Sequence, residues 1–281
     1  MPTSDRKRVS RRRLLKAGAG MAAVGGYSFL VEPSWVELVR LDVPIKGLGH
    51  GLDGFKIGLV SDLHIPRMID SAFVRYSLDM LAAEKPDVFC LPGDVFEGVH
   101  NDKVVSLKGY FDGYTAPYGL FASLGNHDYK LGESRVARRL RDDTPFEPLL
   151  NQHVMIERGG SVMALGATND LHWGRPDVEK AFKGVDPQIP RVMMAHNPDL
   201  CEEWRGHTRV DLALSGHTHG GQIRLLPWYA PFTNSRYGQK FREGLVQGKV
   251  YRTYVTRGLA RQFHCRLMSR PEVTLLTLRP A

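Results

Sequence analysis

Cysteine is nearly missing from this chain of 281 residues: Cys90, Cys201 and Cys265 are all there is. Three scattered thiols exclude a disulfide framework; at most one bridge can form, with one thiol left over. They say little about compartment, and Cys90, inside Val88-Phe89-Cys90-Leu91, reads as a small buried hydrophobe. Internal repeats and low-complexity stretches are also absent. So is a basic body. The formal charge is +8, but Arg6, Lys7, Arg8, Arg11, Arg12, Arg13 and Lys16 crowd the first sixteen residues against a single Asp5. The rest of the chain holds only about +2, which argues against the basic patch of a nucleic-acid binder. Apolar residues make up 42% and charged residues 24%, enough for a globular core.

The N-terminus carries the first positive signal. Ser10-Arg11-Arg12-Arg13-Leu14-Leu15-Lys16 leads into a glycine-broken apolar run from Ala17 to Val31. A basic segment before a short apolar one is the form of an export signal. The paired arginines resemble a twin-arginine signal, read by the twin-arginine export machinery and delivering the protein to the periplasm or the outer face of the cytoplasmic membrane. With Gly18, Gly20, Gly25 and Gly26, the run is a poor membrane span, which needs about 20 apolar residues. No small-x-small cleavage site stands near Tyr27–Pro33 and no cysteine there accepts a lipid, so both a removed signal and a retained membrane tether stay open. Residues 1–33 are assigned to this signal or tether and 34–281 to one catalytic domain.

Within that domain, short apolar runs alternate with helical patterns. Phe55–Val60, Asp87–Leu91, Tyr118–Leu124, Arg191–Ala195 and Val210–Ser215 read as strands; Ala72–Lys85, stopped by Pro86, and Ser134–Arg141 read as helices. The class is α/β with much parallel character. Each strand-like run ends in polar residues able to bind metal, and open α/β sheets bind ligands beyond the carboxyl ends of their strands.

The strand-end residues are Asp62 and His64, then Asp94, then Asn126, His127 and Asp128, then His196, then His217 and His219. Carboxylate, imidazole and amide oxygen without thiolate suit Mn²⁺, Fe, Zn²⁺ or Mg²⁺ and argue against a structural zinc knuckle. In an extended segment the i, i+2 pairs Asp62/His64 and His217/His219 would each face one cluster. Gly93, Gly125 and Gly216 precede these residues where close backbone approach needs a residue without a side chain. His50, His100, His153, His172, His207 and His264 read as ordinary structural histidines.

The ordered series Asp-x-His, Gly-Asp, Gly-Asn-His-Asp, a lone His after a strand and Gly-His-x-His, from Asp62 to His219, resembles the calcineurin-like metallophosphoesterases. Gly220-Gly221-Gln222 and the arginine-rich leader look most like the exported bacterial branch, which is also similar to enzymes that split the pyrophosphate of UDP-diacylglucosamine. The resemblance implies a four-layer αββα sandwich of two mixed sheets with the metal site at strand ends. It implies two divalent ions, with manganese expected to support activity in vitro. Asp62, His64 and His219 would hold one ion and Asn126, His196 and His217 the other, with Asp94 bridging. His127 would act as general acid and Asp128 would orient it. Two ions roughly 3.5–4 Å apart would supply a hydroxide to attack a phosphodiester, phosphomonoester or pyrophosphate. The substrate would be a phosphate-containing small molecule or lipid head group, or a nucleotide-sugar; an exported nuclease and a non-catalytic metal-binding protein are the alternatives.

This chain departs from the family's pattern in two places. The turn near the C-terminus reads Gly258-Leu259-Ala260-Arg261-Gln262, and the acid expected just past Gly-Asp is displaced to Glu97. Beyond the last histidine pair, Leu225-Leu226-Pro227-Trp228-Tyr229-Ala230-Pro231-Phe232 reads as side chains packed beneath their loop, with an apolar lip touching lipid or the membrane surface as the alternative.

Overall fold

A computed structural model describes residues 11–66, 68–98, 104–261 and 264–281. The expected start of the leader, residues 1–10, lies outside the described residues, as do His100 and Gln262.

Among the described residues, twelve strands form two six-stranded sheets. In the first, β1 (Glu37–Ile45) lies beside β12 (Glu272–Pro280), followed by β2 (Lys56–Leu59), β3 (Val88–Pro92), β4 (Leu120–Ser123) and β5 (Phe146–Pro148). The second runs β10 (Gly244–Gln247), β11 (Arg252–Val255), β9 (Leu212–Ser215), β8 (Arg191–Met194), β7 (Ser161–Ala167), β6 (Gln152–Arg158). Strands β2 to β5 are parallel, as are β7, β8, β9 and β11; antiparallel pairs join β12 to β2, β6 to β7 and β10 to β11. Both sheets are therefore mixed.

Period-two alternation sorts the apolar residues of each central strand into two layers. Val88 and Cys90 of β3 point between the sheets, where they join Leu276 of β12 and Val192, Met194, Leu212 and Leu214 of β8 and β9. Phe89 and Leu91 point the other way, into a core shared with α2 (Ser71–Ala82) and α4 (Glu133–Asp143). On the far face of the second sheet, Met193 and Ala213 meet α5 (Val178–Ala181) and α6 (Leu200–Glu203). The result is helix, sheet, sheet, helix, the four layers expected. Because both faces are covered, β3, β8 and β9 are buried throughout, which explains their unbroken apolar runs. Asp70 caps α2, its carboxylate accepting from the Phe73 N–H at 2.8 Å, and the helix lays Val74, Leu78 and Leu81 on the sheet. All three cysteines are free and buried.

The N-terminal segment is helical. Helix α1 (Arg11–Gly26) continues through turns Tyr27–Val31 and Glu32–Ser34, and Arg11–Ser34 is 24 residues, long and apolar enough to cross a membrane by length and composition. The glycines lower its helix propensity, by about 1 kcal/mol each against alanine, without breaking it. At its end the helix joins the domain. Glu32 is 1% exposed, its carboxylate accepting from the backbone N–H groups of Met268 and Ser269, and the Ser28 carbonyl accepts from Arg266 N–H.

Candidate metal centre

Parallel strands from both sheets end at one rim. Past β2 the chain runs alongside the loop after β3: Asp62 N–H donates to the Gly93 carbonyl, the Leu63 and His64 N–H groups to the Asp94 carbonyl, and Ile65 N–H to Val95. Asn126 and His127 open the short helix α3 (Asn126–Lys130) after β4; His196 follows β8, and His217 and His219 follow β9. All nine predicted site residues converge here.

The i, i+2 pairs meet by a different route from the extended one expected. Asp62, His64, His217 and His219 all have positive φ (56°, 50°, 70° and 51°), and Asp94 does too at 52°. Left-handed backbone is uncommon outside glycine, and residues held there cluster where surrounding structure and function demand it. The glycine expectation holds: a Cβ at Gly216 would lie 2.2 Å from Asp62 Oδ2, and one at Gly125 2.2 Å from Asp94 Oδ1. Gly258, in the atypical C-terminal turn, backs Asp62 in the same way, so that turn shapes the rim.

Donor atoms gather in two groups. His219 Nε2 stands 3.3 Å from Asp62 Oδ1 and 3.2 Å from His64 Nε2. His196 Nε2 stands 3.2 Å from Asn126 Oδ1 and 3.3 Å from His217 Nδ1. Asp94 Oδ2 lies between the groups, 3.6 Å from His64 Nε2 and 3.2 Å from His196 Nε2. Its Oδ1 is tied down by the His127 N–H at 2.9 Å. Donors about 2.0–2.2 Å from one cation sit about 3–3.5 Å from each other, so these spacings match the edges of a coordination shell. Among the described residues, the sets Asp62/His64/His219 and Asp94/His196/His217 could each hold a metal ion. Asp62 Oδ2 and His219 Nδ1 are buried without a hydrogen-bond partner, and an unsatisfied buried carboxylate oxygen fits a cation better than a structural role.

The outer nitrogens of His196 and His217 are held as metal-binding histidines require. His196 donates from Nδ1 to the Pro92 carbonyl at 2.8 Å, turning Nε2 inward. His217 takes the opposite tautomer, donating from Nε2 to the Asn234 carbonyl at 3.0 Å and presenting Nδ1. The electrostatics point the same way. Burial would raise Asp62, but the hydrogen bond and charge of His219, with His196, outweigh it and hold the carboxyl at about 2. Burial works against a proton on His196, yet Asp94 and Asp62 drive its imidazole up to about 10. Burial and the neighbouring His196 charge push His217 down to about 3. A proton on His196 thus occupies the place of positive charge between buried carboxylates.

Glu97, which carried no expected role, meets the His127 ring where Asp128 was expected to. Asp128 makes its contacts with backbone, accepting from the N–H groups of Gly125 (3.0 Å), Val95 (3.2 Å) and Phe96 (2.9 Å); burial and the Asp94 charge still raise it to about 6. It fixes the Asp94 loop, while His127 is oriented by another acid. Glu97, 2% exposed, places Oε1 2.9 Å from His127 Nδ1 and Oε2 3.4 Å from His64 Nδ1. One carboxylate thus clamps the candidate acid to a candidate ligand. Its displacement beyond Gly-Asp was the only trace of this in the sequence.

The calcineurin-like phosphoesterase family profile matches residues 55–221, the stretch that supplies all nine predicted site residues and Glu97. The chain belongs to the calcineurin-like phosphoesterase family. It is a metal-dependent phosphoester hydrolase, of a family that binds divalent metals. Metallophosphoesterase YkuE of Bacillus subtilis is 30% identical, the match covering 97% of this chain and 99% of that protein. Phosphodiesterase YaeI of Escherichia coli is 32% identical over 96% and 99%. UDP-2,3-diacylglucosamine pyrophosphatase LpxG of Chlamydia muridarum is 28% identical over 88% and 90%.

Among the described residues, the remaining histidines belong to neither group. His50, His172, His207 and His264 are exposed, and His153 Nδ1 bonds the Ala181 carbonyl at 2.6 Å. The loop Leu225–Phe232 is not packed beneath itself: Leu225, Leu226, Trp228, Tyr229 and Phe232 are all exposed, and Ala230 alone of its apolar side chains is buried. A tight turn, with Leu226 and Tyr229 bridged across it, holds these side chains outward.

Proposed function

We propose that this protein is a two-metal phosphohydrolase that cleaves a phosphodiester or pyrophosphate bond, of a lipid or nucleotide-sugar, on the outer side of the cytoplasmic membrane. The observation that carries it is the Asp94 carboxylate, with one oxygen set between His64 and His196 and the other fixed by backbone. Asp62, His64 and His219 would hold one divalent ion, Asn126, His196 and His217 the second, and Asp94 both; Mn²⁺, Fe, Zn²⁺ and Mg²⁺ suit these donors, with Mn²⁺ expected to serve in vitro. Bound there, the ions would polarise the phosphoryl oxygens and lower the pKa of a coordinated water.

The chain's own groups do the rest. Glu97 accepts from His127 Nδ1 and fixes the ring, which leaves Nε2 to give a proton to the departing oxygen as negative charge builds there. The two carboxylates and the depressed His217 keep the rim free of competing protons once a cation replaces the one on His196. Phosphodiesterase and pyrophosphatase relatives support a diester or anhydride substrate.

The arginine-rich leader and the helix behind it support export by the twin-arginine machinery, to the periplasm or the outer membrane face. The near-neutral body supports a small phosphate compound or a lipid head group over nucleic acid.

Mn²⁺-loaded full-length protein should hydrolyse bis-p-nitrophenyl phosphate or a nucleoside-diphosphate sugar. Asp94→Ala should lose that activity by on the order of 10⁴-fold, the several kcal/mol expected of the metal pair. A loaded protein inert toward monoesters, diesters and pyrophosphates alike would end the proposal.

A further inference from the structure

Three segments lie side by side at one edge of the rim. The chain at Gln222–Arg224 pairs with Leu267, the Leu267 N–H donating to the Gln222 carbonyl and the Arg224 N–H to the Leu267 carbonyl. The neighbouring stretch, Arg266 to Ser269, is bound in turn to Ser28 and Glu32 at the end of the N-terminal helical run. These contacts fix two exposed apolar groups relative to one another. One is the turn Leu225–Phe232, with Leu225 62%, Trp228 68% and Phe232 82% exposed. The other is Phe29-Leu30-Val31, with Leu30 79% exposed; Met268, between them in the arrangement, is exposed as well.

We propose that these groups form one membrane-docking face, seating the catalytic domain on the lipid bilayer that its own N-terminal helix enters. Several observations select a bilayer as the occupant. Arg11–Ser34 is long and apolar enough to span, and Glu32 clamps its end beside the turn, so a spanning helix would emerge at this face. Arg11, Arg12, Arg13 and Lys16 stand at the opposite end of the helix, the arrangement of a positive cytoplasmic end with the domain outside. Trp228 and Tyr229 are the residue types that settle at the level of lipid head groups, and Leu225, Leu226 and Phe232 supply the apolar part. Large apolar side chains exposed together in this way mark an interaction surface more often than a face that meets only water.

The face is also coupled to the rim. Ala230, the buried residue of the turn, packs where Gly221 lacks a side chain, directly after His219 and Gly220. Two residues past Phe232, Asn234 accepts the His217 hydrogen bond through its carbonyl. Docking would therefore hold the metal centre beside the head-group layer. This rests on the outer-face localisation proposed above, and a soluble substrate separates the two: hydrolysis of bis-p-nitrophenyl phosphate tests the chemistry and lipid quenching tests the docking.

The experiment places the full chain in phosphatidylethanolamine/phosphatidylglycerol vesicles with and without brominated acyl chains and reads tryptophan emission. Trp228→Phe should remove the larger share of the bromolipid quenching, whereas Trp204→Phe, behind α6, should leave it in place. A Leu226→Ser/Phe232→Ser variant should keep its rate on bis-p-nitrophenyl phosphate and lose several-fold on a phosphodiester lipid carried in the same vesicles. Quenching that is equal with and without Trp228 overturns the proposal. So does a dimer in mild detergent that dissociates when Trp228 is changed, since a second copy would then be the occupant.

Discussion

The metal rim and the Leu225–Phe232 turn are neighbours, and they break the ordinary rule of burial in opposite directions. At the rim, Asp62, His64, Asp94, Glu97, Asp128 and His196 are all buried, although such groups are normally left in water unless paired or bound to metal. At the turn, Trp228 and Phe232 stand in solvent although the body has a core able to take them. The buried charges suit a cation, and on the docking proposed above the exposed aromatics would meet an apolar phase. The contrast extends to the backbone. Rim residues are held at positive φ by neighbouring glycines and paired loops, while the turn is closed by a few bonds of its own.

The comparison is sharpest where chemistry is removed without removing metal. His127→Ala should lower turnover on a soluble diester by about 10²–10⁴-fold while elemental analysis finds the metal content unchanged. Glu97→Gln should give a smaller loss, about 10–100-fold, shared between rate and metal affinity because Glu97 meets both His127 and His64. If Glu97→Gln changes neither, the clamp is structural only.

A weaker effect should appear on changing pH. In the metal-free protein His196 keeps its proton up to about 10, and a cation must displace that proton. Metal affinity should therefore rise with pH below that value, by about tenfold per unit for each proton displaced. Calorimetry in buffers of different ionisation heat should show the proton released; binding without release would contradict the arrangement at the rim. The smallest effect belongs to the turn. Leu226→Ser/Phe232→Ser should leave the stability of the domain within about 0.5 kcal/mol, read as an unchanged melting temperature. A marked drop would mean those side chains pack after all, and the contrast between the two regions would fail.

The rim was legible in the sequence because its residues each follow a local pattern, a short apolar run closed by a polar group. Strand ends at Asp62, Asp94, Asn126, His196 and His217 were readable for that reason, and the family series ordered them. Strand β1 was not, since Pro44 within it demotes the run; the sheet tolerates it at an edge, paired only with β12. That pairing joins Glu37 to Glu272, a register no local pattern encodes. The left-handed backbone at Asp62 and His219 was invisible because residue type fixes φ only at proline. The family resemblance cast Asp128 as the group orienting His127, yet its carboxylate turns back to the N–H groups of Gly125 and the Asp94 loop. The turn at Trp228 was read as packed because an apolar string looks the same whether a core or a membrane covers it.

Both donor groups draw on both sheets. Asp62 and His64 come from the first sheet and His219 from the second; Asn126 follows β4 of the first, while His196 and His217 follow β8 and β9 of the second. A chain with one sheet in place and the other still loose would own only part of each cage. Such a chain would hold an ion weakly, and the complete fold would hold it tightly, so the ion stabilises only the finished assembly. Metal uptake at this seam would thus act as proofreading, passing chains whose halves have met in register and leaving the rest unprotected.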